Sequence, residues 1–284
     1  MSSHEALADA PSMSLRFWGV RGSVPCPDAD ALRYGGNTAC VEIRCGEHLL
    51  ILDAGTGLRQ LGDALAKESQ SMEIDIFLSH CHIDHIIGLP FFAPLYRTER
   101  AVSLWGGRLE SAIDIEQALR RLMSHPLFPI QVGDFCAQLK FRDFRAGETL
   151  TPRAGITVRT APLRHPGGAT GYRIEYAGRS VAYLTDTEFP DGVIDPAILS
   201  LAHSSDLVIL DSTYTDEELR LHRGWGHASW QQGIQLANIS NTKQLCLFHH
   251  DPRHNDAFMD AVAKAAEAAR AGTIVAYEGL RIDL

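Results

Sequence analysis

The sequence predicts an α/β fold in which two β-sheets pack face to face and helices cover their outer sides. The chain has 284 residues, and each half of it contains strand-like runs followed by helical patterns. Elements in that order bury their apolar faces when they stack in layers. No apolar run reaches the ~18 residues that a membrane span needs. We expect a flexible N-terminal tail over residues 1–14 and a single domain over residues 15–284.

In the first half, alternating or continuous apolar runs predict strands. These strands cover residues 15–20, 39–44, 48–52 and 74–78. Gly46 and Glu47 suit a hairpin turn between the second and third strands. A helix is expected next, because Leu58, Leu61 and Leu65 recur at helical spacing.

Residues 91–150 show a weaker pattern, which predicts mainly helix and loop. A short strand is expected at residues 102–106 and a helix at residues 111–123, with Asp114 as an acid in its first turn. The apolar residues 127–130 predict a loop that covers either the site or the interface of a homodimer.

The second half is again rich in strand-like runs. The predicted strands cover residues 156–160, 172–176, 181–184, 207–210 and 244–248, and the predicted helices cover residues 229–239 and 255–270. Gly272 follows the last helix as a stop signal. A final pair of strands is expected within residues 273–284.

The composition is that of an ordinary globular protein and sets limits on its partners. Hydrophobic residues make up 45% of the chain and charged residues 21%, with a formal net charge of −9. This acidic balance argues against a general affinity for nucleic acid. The polar N-terminal residues lack the apolar core of a secretory signal, so we expect a cytoplasmic protein with reduced cysteines and no membrane partner.

The most informative stretch is residues 80–85, which read His-x-His-x-Asp-His directly after a predicted strand. A single buried histidine is more often a core residue than a ligand, but that explanation does not suit four ligand-type residues together. Imidazole nitrogen and carboxylate oxygen bind zinc, manganese or iron. Because one structural metal needs fewer ligands from one loop, the spacing predicts two metals.

Three later predicted strands also end in ligand-type residues. They are followed by His165, Asp186 and His249, respectively. Strand ends are where α/β proteins collect their chemistry. Each of these residues alone is more often a turn former or a surface residue, so only the joint pattern indicates a site.

In their order along the chain, these motifs resemble the metallo-β-lactamase superfamily over nearly the whole sequence. The resemblance rests on the sequence Asp-Ala-Gly-Thr-Gly from Asp53 on, then on residues 80–85, His165, Asp186 and His249. It implies a four-layer αββα sandwich with two divalent metal ions, with zinc as the first candidate and manganese or iron as alternatives. A hydroxide between the two metals would be the nucleophile.

The resemblance also implies a role for each ligand. His80, His82 and His165 would hold the first metal, Asp84, His85 and His249 would hold the second, and Asp186 would bridge them. Asp84 is also counted among the catalytic residues, and Asp53 is implied as the acid that orients a metal-binding imidazole. The neighbouring His250 remains an alternative to His249.

A second pair of residues narrows the class of enzyme. Asp211 follows a predicted strand, and His227 lies in a Gly-His-Ala-Ser sequence that opens a helix. This order is similar to that in ribonuclease Z, and it implies that His227 is a general acid with Asp211 as its partner. An alkoxide leaves a phosphodiester readily only when it receives such a proton. In the alternative interpretation, His227 merely caps or packs at the start of its helix.

Residues 17–23 and 34–38 resemble a phosphodiesterase branch of the superfamily. That branch includes phosphoribosyl cyclic phosphodiesterases and predicted cyclic-nucleotide phosphodiesterases. Arg21, Asn37 and His250 are possible substrate contacts, with Arg21 expected at the phosphate and Asn37 also expected to fix its loop. In the alternative interpretation, Arg21 is a surface residue and Asn37 belongs to a turn.

The predicted function is therefore a dinuclear metal-dependent phosphodiesterase for a small phosphodiester, with cyclic nucleotides or related cyclic phosphates first. Only twenty residues lie between His165 and Asp186. They leave no room for the tRNA-binding arm of some ribonuclease Z members, so no nucleic acid polymer is expected as a partner. Two alternatives stay open, namely thioester or lactone hydrolysis at the same metals and a non-catalytic ligand-binding sensor.

Overall fold

The computed structural model describes residues 13–68, 72–108 and 113–284. Within these residues, fourteen strands form two seven-stranded sheets, and helices cover the outer sides. The predicted αββα sandwich is therefore confirmed. Of the predicted tail, residues 1–12 lie outside the described residues, whereas Met13 and Ser14 belong to the first strand.

The elements follow one another along the chain as two series. The strands are β1 (Met13–Gly19), β2 (Cys40–Cys45), β3 (His48–Leu52), β4 (Glu73–Leu78), β5 (Ala101–Arg108), β6 (Gln138–Arg145), β7 (Thr149–Leu150), β8 (Ile156–Leu163), β9 (Ala169–Tyr176), β10 (Arg179–Leu184), β11 (Leu207–Asp211), β12 (Gln244–Phe248), β13 (Ile274–Val275) and β14 (Arg281–Asp283). The α-helices are α1 (Gly57–Leu65), α2 (Ile83–Ile86), α3 (Ile115–Leu122), α4 (Pro196–Ala202), α5 (Asp216–Leu221), α6 (Trp230–Ile239) and α7 (Asp256–Ala269). Short 3₁₀ helices lie at Leu89–Phe91, Ala93–Tyr96, Val132–Asp134 and Pro190–Gly192. None of the helices in the described ranges is both long and apolar enough to cross a membrane.

Apart from the last strand, β14, both sheets follow the same plan, in which antiparallel strands precede parallel ones along the chain. The first sheet has the order β14-β1-β2-β3-β4-β5-β6, and the second has the order β13-β12-β11-β10-β9-β8-β7. Strands β3 to β6 are parallel to one another, and so are β10 to β13. Because the carboxyl ends of parallel strands meet at one edge, each sheet gathers the loops after these strands at a single edge.

The central core lies between the two sheets. Phe17, Phe77, Tyr172, Tyr183 and Phe248 are fully buried there. Two further cores lie between the first sheet and α1 and α3, and between the second sheet and α4, α6 and α7. Fully burying one such side chain contributes ~1.5–3 kcal/mol, so these layers hold the strand ends, and the loops after them, in fixed positions.

Most predicted strands are confirmed within a few residues, and β3 and β12 have the predicted bounds. The segment 91–150 differs, because it contains β6 and β7 in addition to the expected strand and helix. The helix begins at Ile115, and residues 111 and 112 of its predicted range lie outside the described residues. β6 is an edge strand that carries Lys140, Arg142 and Arg145. Charged side chains protect an edge strand from pairing with another chain, but they also remove the apolar run that would have predicted it.

The last residues do not form the predicted pair of strands. β13 pairs with β12 in the second sheet, whereas β14 pairs with β1 in the first. A local pattern of alternation cannot show which sheet a strand joins, because the partner of β14 lies at the other end of the chain. The short helices α4 and α5 were not predicted either, since six or seven residues give too little periodicity.

Candidate metal centre

Five loops bring the predicted ligands together where the edges of the two sheets meet. The first sheet contributes the loop after β4, together with the loop after β3 that supports it, and the second contributes those after β8, β10 and β12. Helix α2 begins directly after its N-cap residue His82, so Asp84 and His85 lie in its only turn. All seven predicted ligands lie in this cluster: His80, His82, Asp84, His85, His165, Asp186 and His249.

Three residues at these strand ends have a left-handed backbone conformation. The φ angles are 58° at Asp53, 56° at Asp186 and 61° at His249. Residues other than glycine rarely adopt this conformation, which costs of order 1–3 kcal/mol. Each side chain thereby leaves its strand sharply and contacts the cluster, and such strain is typical of functional sites.

The first group of potential ligands consists of three imidazoles. The Nε2 atom of His165 lies 3.0 Å from Nδ1 of His82. The ring centroids of His80 and His82 are 4.3 Å apart. Burial lowers the pKa of all three imidazoles, and the neighbouring histidines lower that of His80 further. Neutral imidazoles with their lone pairs turned toward one point suit a metal ion.

The second group combines two imidazoles with a carboxylate. The Oδ2 atom of Asp84 lies 3.2 Å from Nε2 of His85 and 3.5 Å from Nε2 of His249. The two imidazole nitrogens are 3.3 Å apart. The backbone N–H of Ser23 donates to Asp84 Oδ2 at 2.7 Å, which fixes the carboxylate from the outer side.

Asp186 lies between the two groups and presents one oxygen to each. Its Oδ1 atom is 3.9 Å from Nε2 of His80 and 3.6 Å from Nε2 of His165. Its Oδ2 atom is 3.2 Å from Nε2 of His85 and 3.3 Å from Nε2 of His249. A carboxylate in this position can bridge two cations.

Asp53 supports the cluster from behind the ligands. Its Oδ2 atom lies 2.8 Å from Nδ1 of His85 and accepts hydrogen bonds from the hydroxyls of Ser79 and Tyr183, also at 2.8 Å. When His85 donates its Nδ1 proton to Asp53, its Nε2 lone pair faces Asp84 and Asp186. A carboxylate placed in this way fixes the tautomer and the orientation of a metal-binding histidine.

The residues at this site fit divalent cations for two independent reasons. The Nε2 atom of His80 is buried without a hydrogen-bond partner in the described structure. Asp84 and Asp186 are buried carboxylates that form no ion pair with any described arginine or lysine. Burial would raise the pKa of Asp186, but the surrounding imidazoles hold it well below the ordinary value. Ionised buried carboxylates need a compensating charge, and this set of nitrogen and oxygen donors suits zinc, manganese or iron.

His227 and Asp211 form a hydrogen-bonded pair beside the cluster. The Nδ1 atom of His227 lies 2.8 Å from Oδ2 of Asp211 and 3.9 Å from Oδ1 of Asp186. Burial lowers the pKa of His227, but the charge of Asp211 and the hydrogen bond to it outweigh burial and raise the pKa to about 9. Asp211 thus favours the protonated form of the imidazole, which can serve as a proton donor.

Gly226 allows the close approach of the loop that carries His227. Its carbonyl oxygen lies 2.9 Å from Nδ1 of His165, which fixes that imidazole in the same way as Asp53 fixes His85. Its φ is 85°, and a Cβ atom there would lie 2.3 Å from Nδ1 of His165. Glycine at this position thus joins the proton-donor loop to a potential metal ligand.

The structure adds three residues that the sequence did not suggest. Thr213 Oγ1 lies 3.0 Å from Nδ1 of His249 and donates to Asp211 Oδ1 at 2.8 Å, so it connects a potential ligand with the acid pair. Ser79 and Tyr183 are the hydroxyl donors to Asp53. Ser79 and Thr213 follow the ends of strands and could have been considered on that ground. Tyr183 lies within a strand of the opposite sheet, where no local pattern reveals its partner.

Two of the predicted substrate contacts have other roles in the structure. Arg21 is fully buried, and its guanidinium donates to the carbonyl oxygens of Gly35 and His254 at 2.8 and 2.6 Å. Because these donors are used within the fold, the prediction of a phosphate contact for Arg21 is wrong. The side-chain amide of Asn37 donates to Glu278 at 3.0 Å and thereby fixes its loop.

The structure shows different roles for the neighbouring residues His249 and His250. The imidazole of His249 contacts the cluster, whereas His250 is fully buried and its Nε2 lies 2.8 Å from the carbonyl oxygen of Ala276. The predicted substrate contact of His250 is therefore also wrong. Within the 80–85 motif, the spacer Cys81 packs against the helix layer of the first sheet, and Ile83 is 59% exposed.

Comparison with known proteins identifies the fold independently. Residues 48–250 match the family model described as "Beta-lactamase superfamily domain". The chain is similar to a ribonuclease Z of Trichodesmium erythraeum (strain IMS101), with 23% identity over 96% of this chain and 95% of that protein.

Two solved structures share the architecture. One is the metallo-beta-lactamase fold protein YhfI from Bacillus subtilis, with a TM-score of 0.73, 19% identity, and coverage of 96% of this chain and 100% of that one. The other is a diphosphatase from the PhnP family, with a TM-score of 0.71, 19% identity, and coverage of 96% and 97%. At this level of identity, the likeness establishes the common fold.

Proposed function

Because the chain belongs to the beta-lactamase superfamily, we propose that it hydrolyses a small phosphodiester at a centre of two divalent metal ions. Cyclic nucleotides and related cyclic phosphates are the first candidates for the substrate. The proposal takes residues 15–284 as one catalytic domain.

The observation that carries the proposal is the His227–Asp211 pair, 2.8 Å from nitrogen to oxygen and directly beside Asp186. The hydrolysis of a thioester at the same ligands expels a thiolate, which leaves without a separate proton donor. The cleavage of an unactivated phosphodiester does, because the departing oxygen is otherwise a poor leaving group. The pair therefore favours phosphodiesters over thioesters, and the substrate panel below has to separate phosphodiesters from lactones.

In the proposed site, the ligands form two groups of three, one for each cation, and share Asp186. His80, His82 and His165 would hold one cation, Asp84, His85 and His249 would hold the other, and Asp186 would contact both. Divalent cations at these positions supply Lewis acidity and a lowered pKa of water. Zinc is the first candidate, and manganese or iron would also suit the donors.

The remaining steps belong to side chains of the protein. Asp211 accepts from Nδ1 of His227, which leaves the Nε2 proton for the departing oxygen of the substrate. Thr213 donates to the other carboxylate oxygen of Asp211 and so holds the carboxylate in place. Asp53 keeps His85 in the required tautomer.

The short connection between two strands favours a small substrate. β9 and β10 are joined only by Ala177 and Gly178, so no arm for a large RNA projects from this position. The curated relatives named ribonuclease Z nevertheless make RNA the competing substrate class. A homodimer and a cytoplasmic location remain predictions.

The test combines a measurement of metal content with a substrate panel. Elemental analysis should give about two metals per chain in the active protein. The panel contains cyclic nucleotides, phosphoribosyl cyclic phosphate, bis-aryl phosphates, acyl thioesters, lactones and a structured RNA. We expect the cyclic diesters to be hydrolysed fastest. Faster hydrolysis of thioesters, lactones or RNA would contradict the proposed substrate, and tight ligand binding without turnover in a metal-loaded sample would favour the sensor alternative.

A further inference from the structure

A large cavity adjoins the metal centre at His165. It has a volume of about 940 Å³, which is in the range of sites for nucleotide-sized ligands. We call it the arginine cleft, and it is lined by Arg164, His165, Glu188, Phe189, Arg220 and Arg223 among others. None of its arginines takes part in the hydrogen bonds that build the metal centre.

The wall of the arginine cleft is held in place by Glu188. Both oxygens of its carboxylate accept from the backbone N–H of Gly224, at 2.9 and 3.0 Å, and one of them also accepts from that of Gly226 at 3.2 Å. Its own N–H donates to the carbonyl oxygen of Arg164 at 2.9 Å. Glu188 thus ties the loop before His227 to the residue before His165, so the cleft and the catalytic groups share one rigid wall.

The guanidinium groups of the cleft have few partners within the protein. Among the described residues, Arg164 and Arg220 take part in no ion pair, and Arg223 has only a long contact of 3.7 Å to the exposed Asp191. The other acids of the cleft are already engaged, because Glu188 binds backbone amides and Asp216 accepts from the Ser229 hydroxyl. The formal charges of the three arginines are balanced by Glu188, Asp191 and Asp216, but the guanidinium donors of Arg164 and Arg220 have no partner among the described residues and are available to a ligand.

We propose that the arginine cleft binds a second anionic group of the substrate, a phosphate separate from the diester that is cleaved. This inference rests on the proposed function, and it narrows the substrate class to phosphodiesters that carry an additional phosphate. Guanidinium groups recognise phosphate through paired, charge-assisted hydrogen bonds. The position beside His165 lets one molecule reach the metal centre and the cleft together.

Two probes that differ only in the second phosphate test the proposal. They are the p-nitrophenyl ester of thymidine 5′-phosphate and the same compound with a 3′-phosphate. The aryl leaving group makes hydrolysis easy to follow in both. The readout is the ratio of the kcat/KM values of the two probes in one enzyme sample. Because the fraction of active enzyme cancels in this ratio, partial misfolding of a variant cannot mimic the effect.

We expect the wild-type protein to prefer the phosphorylated probe by about tenfold or more, as for a hydrogen bond to a charged group. Arg220→Gln should reduce this preference by about threefold or more, and the double variant Arg164→Gln/Arg220→Gln should bring the ratio near one. Arg59→Gln is the matched control, because Arg59 is an exposed arginine that pairs with Asp63 on α1. Added salt should weaken the preference in the wild-type protein.

A wild-type ratio near one overturns the proposal, and so does a preference that survives in the double variant. In both cases the phosphodiesterase function stands, since the probes are still hydrolysed. If the metal-loaded protein hydrolyses the cyclic diesters of the panel but neither probe, the role proposed for the cleft fails and the phosphodiesterase function stands. If it hydrolyses neither the probes nor the cyclic diesters, the proposed function itself fails, and the substrate proposed for the cleft fails with it.

Discussion

The two halves of the chain contribute to the site in different ways. The first half supplies four of the proposed ligands from residues 80–85, which form the loop after β4 and the start of α2, and a single acid, Asp53, fixes one of them from behind. The second half supplies His165, Asp186 and His249 from three separate strand ends, each with its own hydrogen-bond partner. It also supplies the proposed proton donor His227 and the arginine cleft. We infer that the first half mainly holds metal, whereas the second half selects the reaction and the substrate.

Asp186→Asn should have the largest effect, because Asp186 is the residue at which both groups of ligands meet. We expect a loss of roughly a thousandfold or more in kcat/KM, since charge stabilisation by metals is worth several kcal/mol. Elemental analysis should show a loss of metal in parallel. Asp63→Asn, an exposed aspartate on α1, serves as the control. Full activity with fewer than two metals per chain would disprove the bridging role.

His227→Ala distinguishes the roles of the two halves, because it should remove the proton donor without affecting metal binding. We expect hydrolysis of diesters with alkoxide leaving groups to fall by about 10²–10⁴, and that of aryl diesters to fall much less. The measurement is the dependence of kcat on the pKa of the leaving group. His222→Ala is the matched control, since His222 stacks on Tyr214 and its Nδ1 bonds to the Glu218 carbonyl oxygen. Equal losses for both classes of leaving group would exclude a general-acid role.

Asp53→Asn tests the first half of the chain. In contrast to His227→Ala, it should weaken metal binding without changing the preference for leaving groups. An asparagine can present its amide N–H₂ to His85 and so disturb the tautomer that leaves Nε2 free. Loss of such a supporting partner typically costs 10–100-fold in metal affinity or activity. Competition with a chelator measures the affinity. If Asp53→Asn regains full activity at high metal concentration, the result agrees with this division of roles. If Asp53→Asn changes the dependence of the rate on the leaving group, the result contradicts it.

The pH dependence tests the charge that Asp211 places on His227. The raised pKa keeps His227 protonated at neutral pH, and its proton is lost as the pH rises through about 9. Activity that needs this proton should therefore fall on the alkaline side near that value. Asp211→Asn removes the main raising influence and should move the alkaline limb to lower pH. An unchanged limb in this variant would show that another group is titrating.

The same contrast explains what could be predicted from the sequence. The ligands of residues 80–85 are contiguous and follow an apolar strand, so their type and spacing indicated metal binding on their own. His165, Asp186 and His249 gained meaning only from their order and their resemblance to a family, because each is a single residue after a strand. Arg21 and His250 were misassigned because the sequence does not show which way a side chain points. Tyr183 and Thr213 depend on contacts across the two sheets, which no local pattern encodes.

Thr213→Val should have the smallest effect, and it tests whether the metal side and the acid side of the second half are coupled. Thr213 Oγ1 is 3.0 Å from His249 Nδ1 and 2.8 Å from Asp211 Oδ1. When His249 donates its Nδ1 proton to this oxygen, the hydroxyl proton is free to point to Asp211. Losing one such neutral hydrogen bond costs ~0.5–1.5 kcal/mol, or about two- to tenfold in rate. Thr213→Ser keeps the hydroxyl and should restore the rate. If serine fails to rescue while the metal content stays normal, the methyl group, and therefore packing rather than the hydrogen bond, explains the loss.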